Sequence, residues 1–306
     1  MQEPAVIFDR ALNDNFVKRL AEEAAAGGWW RDVLADPKLL IAPRRADLNV
    51  YWRGQALFNV SCPRGKIVVS THEKFLVDPA LAEQVPLVGG RFDTAASLER
   101  ALIRDYEGPA TLAKMKRAAA LFSGEEKSGC HEIAVGNAAV LDVEIAFPGR
   151  YAIAEDSGKS APRIDLASVE AAGEDVRLVF WEAKAYANGE LRAFGDGAAP
   201  VCGQVETYRL ALAQHQTDIE ASYAAVAANL VAFKDMGWAR ALSPLIDAVG
   251  RCERRLTLGE TPKVGLLVFG FDNAQKNEAR WKKHLGKLGE AIGDVRAKGR
   301  PVDIRV

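Results

Sequence analysis

The cleanest pattern in the chain is at residues 140–147, where Leu141, Val143, Ile145 and Phe147 alternate with Asp142 and Glu144. Apolar and polar positions at period two predict a half-buried strand, with the four apolar side chains inward and both acids facing water. Residues 163–169 and 176–184 read as two further strands around the turn Ala171-Ala172-Gly173-Glu174; a Gly-containing turn between β-branched and aromatic runs signals a hairpin. The almost wholly apolar run 263–271 predicts a strand covered on both faces. Period 3.6 predicts helices over 13–27 (Asn13 or Asp14 as N-cap, Gly27 as stop), 97–106, 111–122, 127–136, 204–233 with a break near Asp218, 239–256 and 273–292, plus a short helical piece ending near Asp36. Strands over 46–52, 56–61 and 66–71, separated by Arg53-Gly54-Gln55 and Pro63-Arg64-Gly65, form a three-stranded meander that needs the preceding helix as a packing partner. Residues 302–306 read as a last strand. Residues 86–93 read as a linker, which divides the chain into an α+β region over 1–90 and a larger domain over 91–306. The order of elements in the latter is that of an α/β fold, with a mixed sheet between helical layers.

Composition narrows the function little. Hydrophobic residues make up 49% and charged residues 26% of the 306, ordinary for a globular protein. With 40 basic and 41 acidic residues the net charge is −1, so no global field draws in nucleic acid, and any such partner needs a local basic groove. Cys62, Cys130, Cys202 and Cys252 are too scattered for a zinc or iron–sulfur site and read as buried thiols. Neither a signal peptide nor a long apolar run is read, so the expected location is cytoplasmic, with no membrane partner.

The hairpin changes the picture. A turn centred on Gly173-Glu174 makes facing positions sum to about 347, which sets Asp165 opposite Glu182. Two carboxylates with Cβ atoms roughly 5 Å apart repel each other and call for a cation. Lys184 shares their face, two residues beyond Glu182. Asp, Glu and Lys on one face of a hairpin suit a hard cation with a lysine beside it; as a surface cluster, Lys184 would simply neutralise both acids.

Asp165, then Glu182-Ala183-Lys184 at the end of the next strand, then a helix with Gln204-x-x-x-Tyr208, resembles the PD-(D/E)XK nuclease superfamily, the last pair resembling its RecB-like branch. The resemblance covers about residues 110–306. It implies a restriction-endonuclease-like three-layer α/β/α core and a metal-dependent deoxyribonuclease, a phosphodiesterase acting on DNA, with defence against foreign DNA or repair as the expected setting. Asp165, Glu182 and the carbonyl of Ala183 would then hold Mg²⁺ (or Mn²⁺). Lys184 would activate water or stabilise charge, and Gln204 and Tyr208 would position substrate or the ligand network. The family also supplies an acidic or histidine residue from a preceding helix. Glu132 is the first choice for it, Glu144 the second and His131 the third. Nucleases of this fold often dimerise to cut both strands, so a homodimer is compatible, and the N-terminal region is open to a partner protein or ligand. A non-catalytic protein on the same scaffold, binding nucleic acid or another protein, is the alternative, as is a nuclease effector gated by a ligand or partner. The PD dipeptide itself is loose, since Ile164 precedes Asp165 and Pro162 lies three places upstream.

Other motifs are weaker. Ser157-Gly158-Lys159-Ser160 imitates a phosphate-binding loop, but position 153 is Ile153 rather than Gly, and a strand rather than a helix comes next. Lys114, Lys116 and Arg117 read as a solvated helix face. Trp281, Lys282, Lys283, His284 and Lys287 read more simply as an amphipathic helix than as a nucleic-acid contact. Tyr51 and Trp52 read as core before base-stacking residues.

Overall fold

A computed structural model describes residues 8–80, 85–92, 99, 101–147, 163–193 and 197–297. Helix α1 (Asp14–Ala26) starts where Asn13 accepts a hydrogen bond from the Phe16 amide and stops at Gly27. A short α2 (Trp29–Ala35) leads into a four-stranded antiparallel sheet, β1 (Leu40–Arg44), β2 (Asp47–Trp52), β3 (Gln55–Ser61) and β4 (Val68–Ser70), in that order. The meander thus gains a strand over the sequence reading. Pro43 disguised β1, and it is accommodated because β1 is an edge. In place of the expected linker, β5 (Leu87–Val88) and β6 (Arg91–Phe92) pair as a small ribbon. The helix expected at 97–106 falls partly outside the described residues, and residues 102–106 are not helical. Helices α3 (Pro109–Ala120) and α4 (Glu125–Gly136) come next.

The main sheet is built from β7 (Val140–Ala146), β8 (Arg163–Ala172), β9 (Asp175–Ala185), β10 (Leu256–Thr257), β11 (Lys263–Phe269) and β12 (Val295–Ala297), ordered β12-β11-β9-β8-β7 with β10 also on β9. β7, β8 and β9 are antiparallel, whereas β10 and β11 run parallel to β9 and β12 parallel to β11. Between β9 and β10 lie α5 (Pro200–Gln214), α6 (Gln216–Asp235) and α7 (Pro244–Gly250); between β11 and β12 lie α8 (Asn273–Asn277) and α9 (Ala279–Ile292). The long helix breaks at His215 rather than near Asp218. The helix expected over 239–256 shrinks to α7, because Pro244 can only open a helix and Arg251 to Arg254 turn away to reach β10. The helix expected over 273–292 is interrupted at Glu278. β12 was not expected. The strand expected at 302–306, and the loop 157–160, lie outside the described residues.

Helices cover both faces of this sheet, so the α/β class holds. Val176, Leu178 and Phe180 of β9 point into the larger apolar cluster with α5, α6 and α7, and Val179, Trp181, Ala183 and Ala185 point into a smaller one with Ile133 and Ala134 of α4. Phe8, Phe16 and Trp30 belong to the larger cluster, so the N-terminal region and the main sheet share one core across the boundary drawn near residue 90.

That shared core overturns one expectation. Asp142, read as solvent-facing, is buried. It accepts hydrogen bonds from Arg10 Nε at 2.6 Å, Arg44 Nη1 at 2.7 Å and the Tyr223 hydroxyl at 2.9 Å. Burial pushes its carboxyl up, but the two guanidinium groups more than offset this and leave it below the usual carboxylate range. Sequence alternation could not reveal partners 132 and 98 residues away.

Candidate active site at the strand fork

β8 pairs with β7 as far as Arg163 but with β9 only as far as Leu166 opposite Trp181. The two central strands therefore fork at the next pair of positions, Asp165 and Glu182. The register sum is the expected 347, with Gly173 at φ +63° taking the left-handed position of the turn between Ala172 and Asp175. Alternation continues the row Ala167, Phe180 into Asp165, Glu182 and Lys184, on the face covered by α5. The fork is closed by a side chain, as the Ala183 amide donates to Asp165 Oδ2 at 2.8 Å.

Glu182 and Lys184 are buried and Asp165 is partly so. Lys184 Nζ lies 2.8 Å from Glu182 Oε1 and 2.7 Å from Oε2 of Glu190, an exposed residue in the loop after β9. Burial and the neighbouring Glu182 push the Asp165 carboxyl well up, and burial likewise raises Glu182 against the pull of Lys184. Lys184 is held firmly as an ammonium, since its two carboxylate partners outweigh its burial.

α5 places Tyr208 over the same row through the apolar stripe Val201, Val205, Tyr208 and Leu212. The Tyr208 hydroxyl lies beside both the Glu182 carboxylate and the Gln204 amide. Its single proton goes to the Arg163 carbonyl at 2.6 Å. Glu182 Oε2 and Gln204 Oε1 are buried with no hydrogen-bond partner. Gln204 and Tyr208 are therefore brought to the fork together with Asp165, Glu182 and Lys184.

The acid of α4 whose charge reaches the fork differs from the expected Glu132. Glu132 is exposed. The residue of this helix whose charge acts on Glu182 is Glu126, which also accepts from Asn188 Nδ2 at 2.9 Å. At 100° per residue, Glu126 and Glu132 lie roughly 120° apart around the helix, so both cannot face the sheet. Cys130 lies on the inner side of α4, its thiol pushed well up by burial and then by the carboxylates of Asp165, Glu144, Glu182 and Glu126. His131 is turned away from these groups, with Nε2 2.9 Å from the Lys38 carbonyl, its ring edge-on to Trp52, and burial pushing its pKa down to about 4.

Glu144 comes closer than Glu132. Val143 is opposite Leu166 and Ile145 opposite Ile164, so Glu144 falls in register with Asp165 and adds to the rise of its pKa. Its backbone is in the left-handed region at φ +51°, a strained conformation for a non-glycine residue, and its carboxylate turns to Arg163 at 3.1 Å. Among the described residues, no group of three or more His, Cys, Asp or Glu side chains is gathered as a ready metal cage. The pair Asp165 and Glu182 nonetheless fits a hard divalent ion. It offers only oxygen donors, one oxygen is buried without a partner, and burial raises both acids, with the charge of Glu182 adding to the rise of Asp165, so that a divalent ion would favour their ionised forms.

The sequence reading missed Glu126, Cys130 and Glu190. Glu126 sits one turn before Cys130 and Gly129, a signal of the sheet-facing side of α4 that only burial resolves. No described helix is long and apolar enough to cross a membrane. No protein-family model, curated protein or solved structure matches the chain.

Proposed function

We propose that this chain is a metal-dependent nuclease hydrolysing phosphodiester bonds, most simply those of DNA, on a restriction-endonuclease-like core. The observation that carries this reading is the fork itself, where Glu182 is buried opposite Asp165 with one oxygen unpartnered and Lys184 beside it. Asp165 and Glu182, with the Ala183 carbonyl, would hold Mg²⁺ or Mn²⁺, which when bound would polarise the phosphate and lower the pKa of its water. Lys184, fixed as an ammonium, supplies positive charge to the phosphorane rather than accepting a proton. Glu190 occupies Lys184 in the absence of substrate and gives way to a phosphate oxygen, because its own side chain is 48% exposed and easily rehydrated. Tyr208 fixes the start of β8 through the Arg163 carbonyl, with Gln204 beside it, so that Asp165 holds its place at the fork. A setting in defence or repair is consistent with this chemistry.

The test is cleavage of linear, circular and single-stranded DNA with Mg²⁺, Mn²⁺ or EDTA. Cleavage is expected only with metal, and Glu182→Gln or Lys184→Ala should lower the rate by about a hundredfold or more, the size of a lost electrostatic stabiliser. If either variant cuts as fast as the wild type, the active-site assignment is wrong.

A further inference from the structure

Beyond the fork, the α9 helix carries a row of cations that the core does not use. Trp281 and Leu288 are its buried residues facing the sheet, with Ile292 at its end. Arg280, Lys283 and Lys287 are exposed, and together with half-buried His284 they fall within an arc of roughly 100° flanking the buried stripe. None of the three makes an ion pair with a carboxylate among the described residues.

The row is tied to the active-site loop. Glu190 holds Lys184, and two residues on, Arg192 lies over the rings of Tyr186 at 4.8 Å and Trp281 at 5.7 Å. Arg192 Nη1 donates to the carbonyls of Tyr186 and Asn188, and Arg192 makes no ion pair among the described residues. The Tyr186 hydroxyl reaches Glu278 at the start of α9, 3.2 Å away. The positive field is registered by His284, whose pKa is lowered by burial and then by Arg280, Arg192, Lys287 and Lys283.

We propose that Arg280, Lys283 and Lys287, continued by Arg192, form a track for the phosphate backbone of nucleic acid leading to the fork. From Arg280 to Lys287 the helix rises roughly 10 Å, which matches two or three successive phosphates along one strand. The chain's net charge of −1 gives no general attraction for polyanions, so a local unneutralised row is what such a ligand requires. An anionic membrane is the poorer fit. The apolar side of α9 is already buried in the core and cannot insert into lipid. Binding along the track stands apart from the nuclease reading; only cleavage of the bound strand rests on it.

The experiment measures binding of a short DNA duplex by fluorescence anisotropy in EDTA, across a salt series, for the wild type and Arg280→Ala/Lys283→Ala/Lys287→Ala. Circular dichroism checks that the variant is folded, and the charge-conserving Arg280→Lys/Lys283→Arg/Lys287→Arg serves as rescue. The slope of log K against log salt should become shallower by roughly 0.9 for each contact removed, up to about 2.7, and the rescue variant should restore it. An unchanged slope and affinity, or no binding by the wild type at low salt, overturns the proposal. So does a variant that loses anionic vesicles while keeping DNA. If the slope changes but the wild type cleaves nothing with Mg²⁺, the track stands and the nuclease reading falls; cleavage with an unchanged slope gives the reverse.

Discussion

A lysine between two carboxylates is not free to meet a substrate. Lys184 is shared between buried Glu182 and exposed Glu190, and only the second can leave at small cost. A half-exposed pair of this kind is worth about 1 kcal/mol or less. On the nuclease reading, Glu190→Gln therefore lowers KM by up to about fivefold while kcat stays near the wild-type value, read from initial-rate kinetics; a raised KM would mean that Glu190 helps to hold the substrate or the metal. On the same reading Glu126, the α4 acid within charge range of Glu182, lends its negative charge to the bound metal, so in the same assay Glu126→Gln should slow cleavage and exposed Glu132→Gln should not. A loss confined to Glu132→Gln would place the α4 acid where the sequence reading put it.

At the scale of elements, α4 reaches the sheet because it carries a glycine at the point of contact. A Cβ on Gly129 would lie 2.0 Å from the Phe269 ring of β11. Helix propensity alone favours Ala over Gly by about 1 kcal/mol. Overpacking in a tight core costs about 1–3 kcal/mol, so Gly129→Ala should lower the melting temperature despite its better propensity. A rise would show that α4 has room to spare. The same scale shows what could be read from the sequence. The β8–β9 hairpin was legible, register included, because its alternation and turn are local. β1 was not, since its Pro43 breaks the local pattern and only the edge position excuses it. The helix expected over 239–256 failed for a similar reason. Buried Arg240, which would have opened it, instead donates to the carbonyls of Ala134, Asn137 and Val140, tying α4 to β7. Glu126 and Glu190 stayed hidden because neither their helix phase nor their loop path is written in spacing.

At the scale of the molecule, the N-terminal region is joined to the main sheet through polar contacts as well as apolar ones. Asp142 gathers Arg10, Arg44 and Tyr223 in a dry site. Asp142→Asn leaves two guanidinium groups without their counter-charge and should cost about 3–5 kcal/mol, seen as a lower urea midpoint. Because the folded pKa of Asp142 lies below its ordinary value, its contribution is present above about pH 4 and fades as pH falls through the folded value, so the variant should lose less stability than the wild type on acidification. A midpoint equal to the wild type's would show that the two regions are not held together by this cluster. The same joint has a consequence for how the protein is made. The Arg10 amide donates to Ser222, 212 residues away, and the Leu12 amide to Asn229, 217 residues away. At about 5–20 residues per second, the first segment of the chain waits roughly 10 to 40 s during synthesis before its partners on α6 exist. Phe8, Leu12 and Phe16 spend that interval without their core. Residues 8–16 thus leave the ribosome well before the partners they fold against.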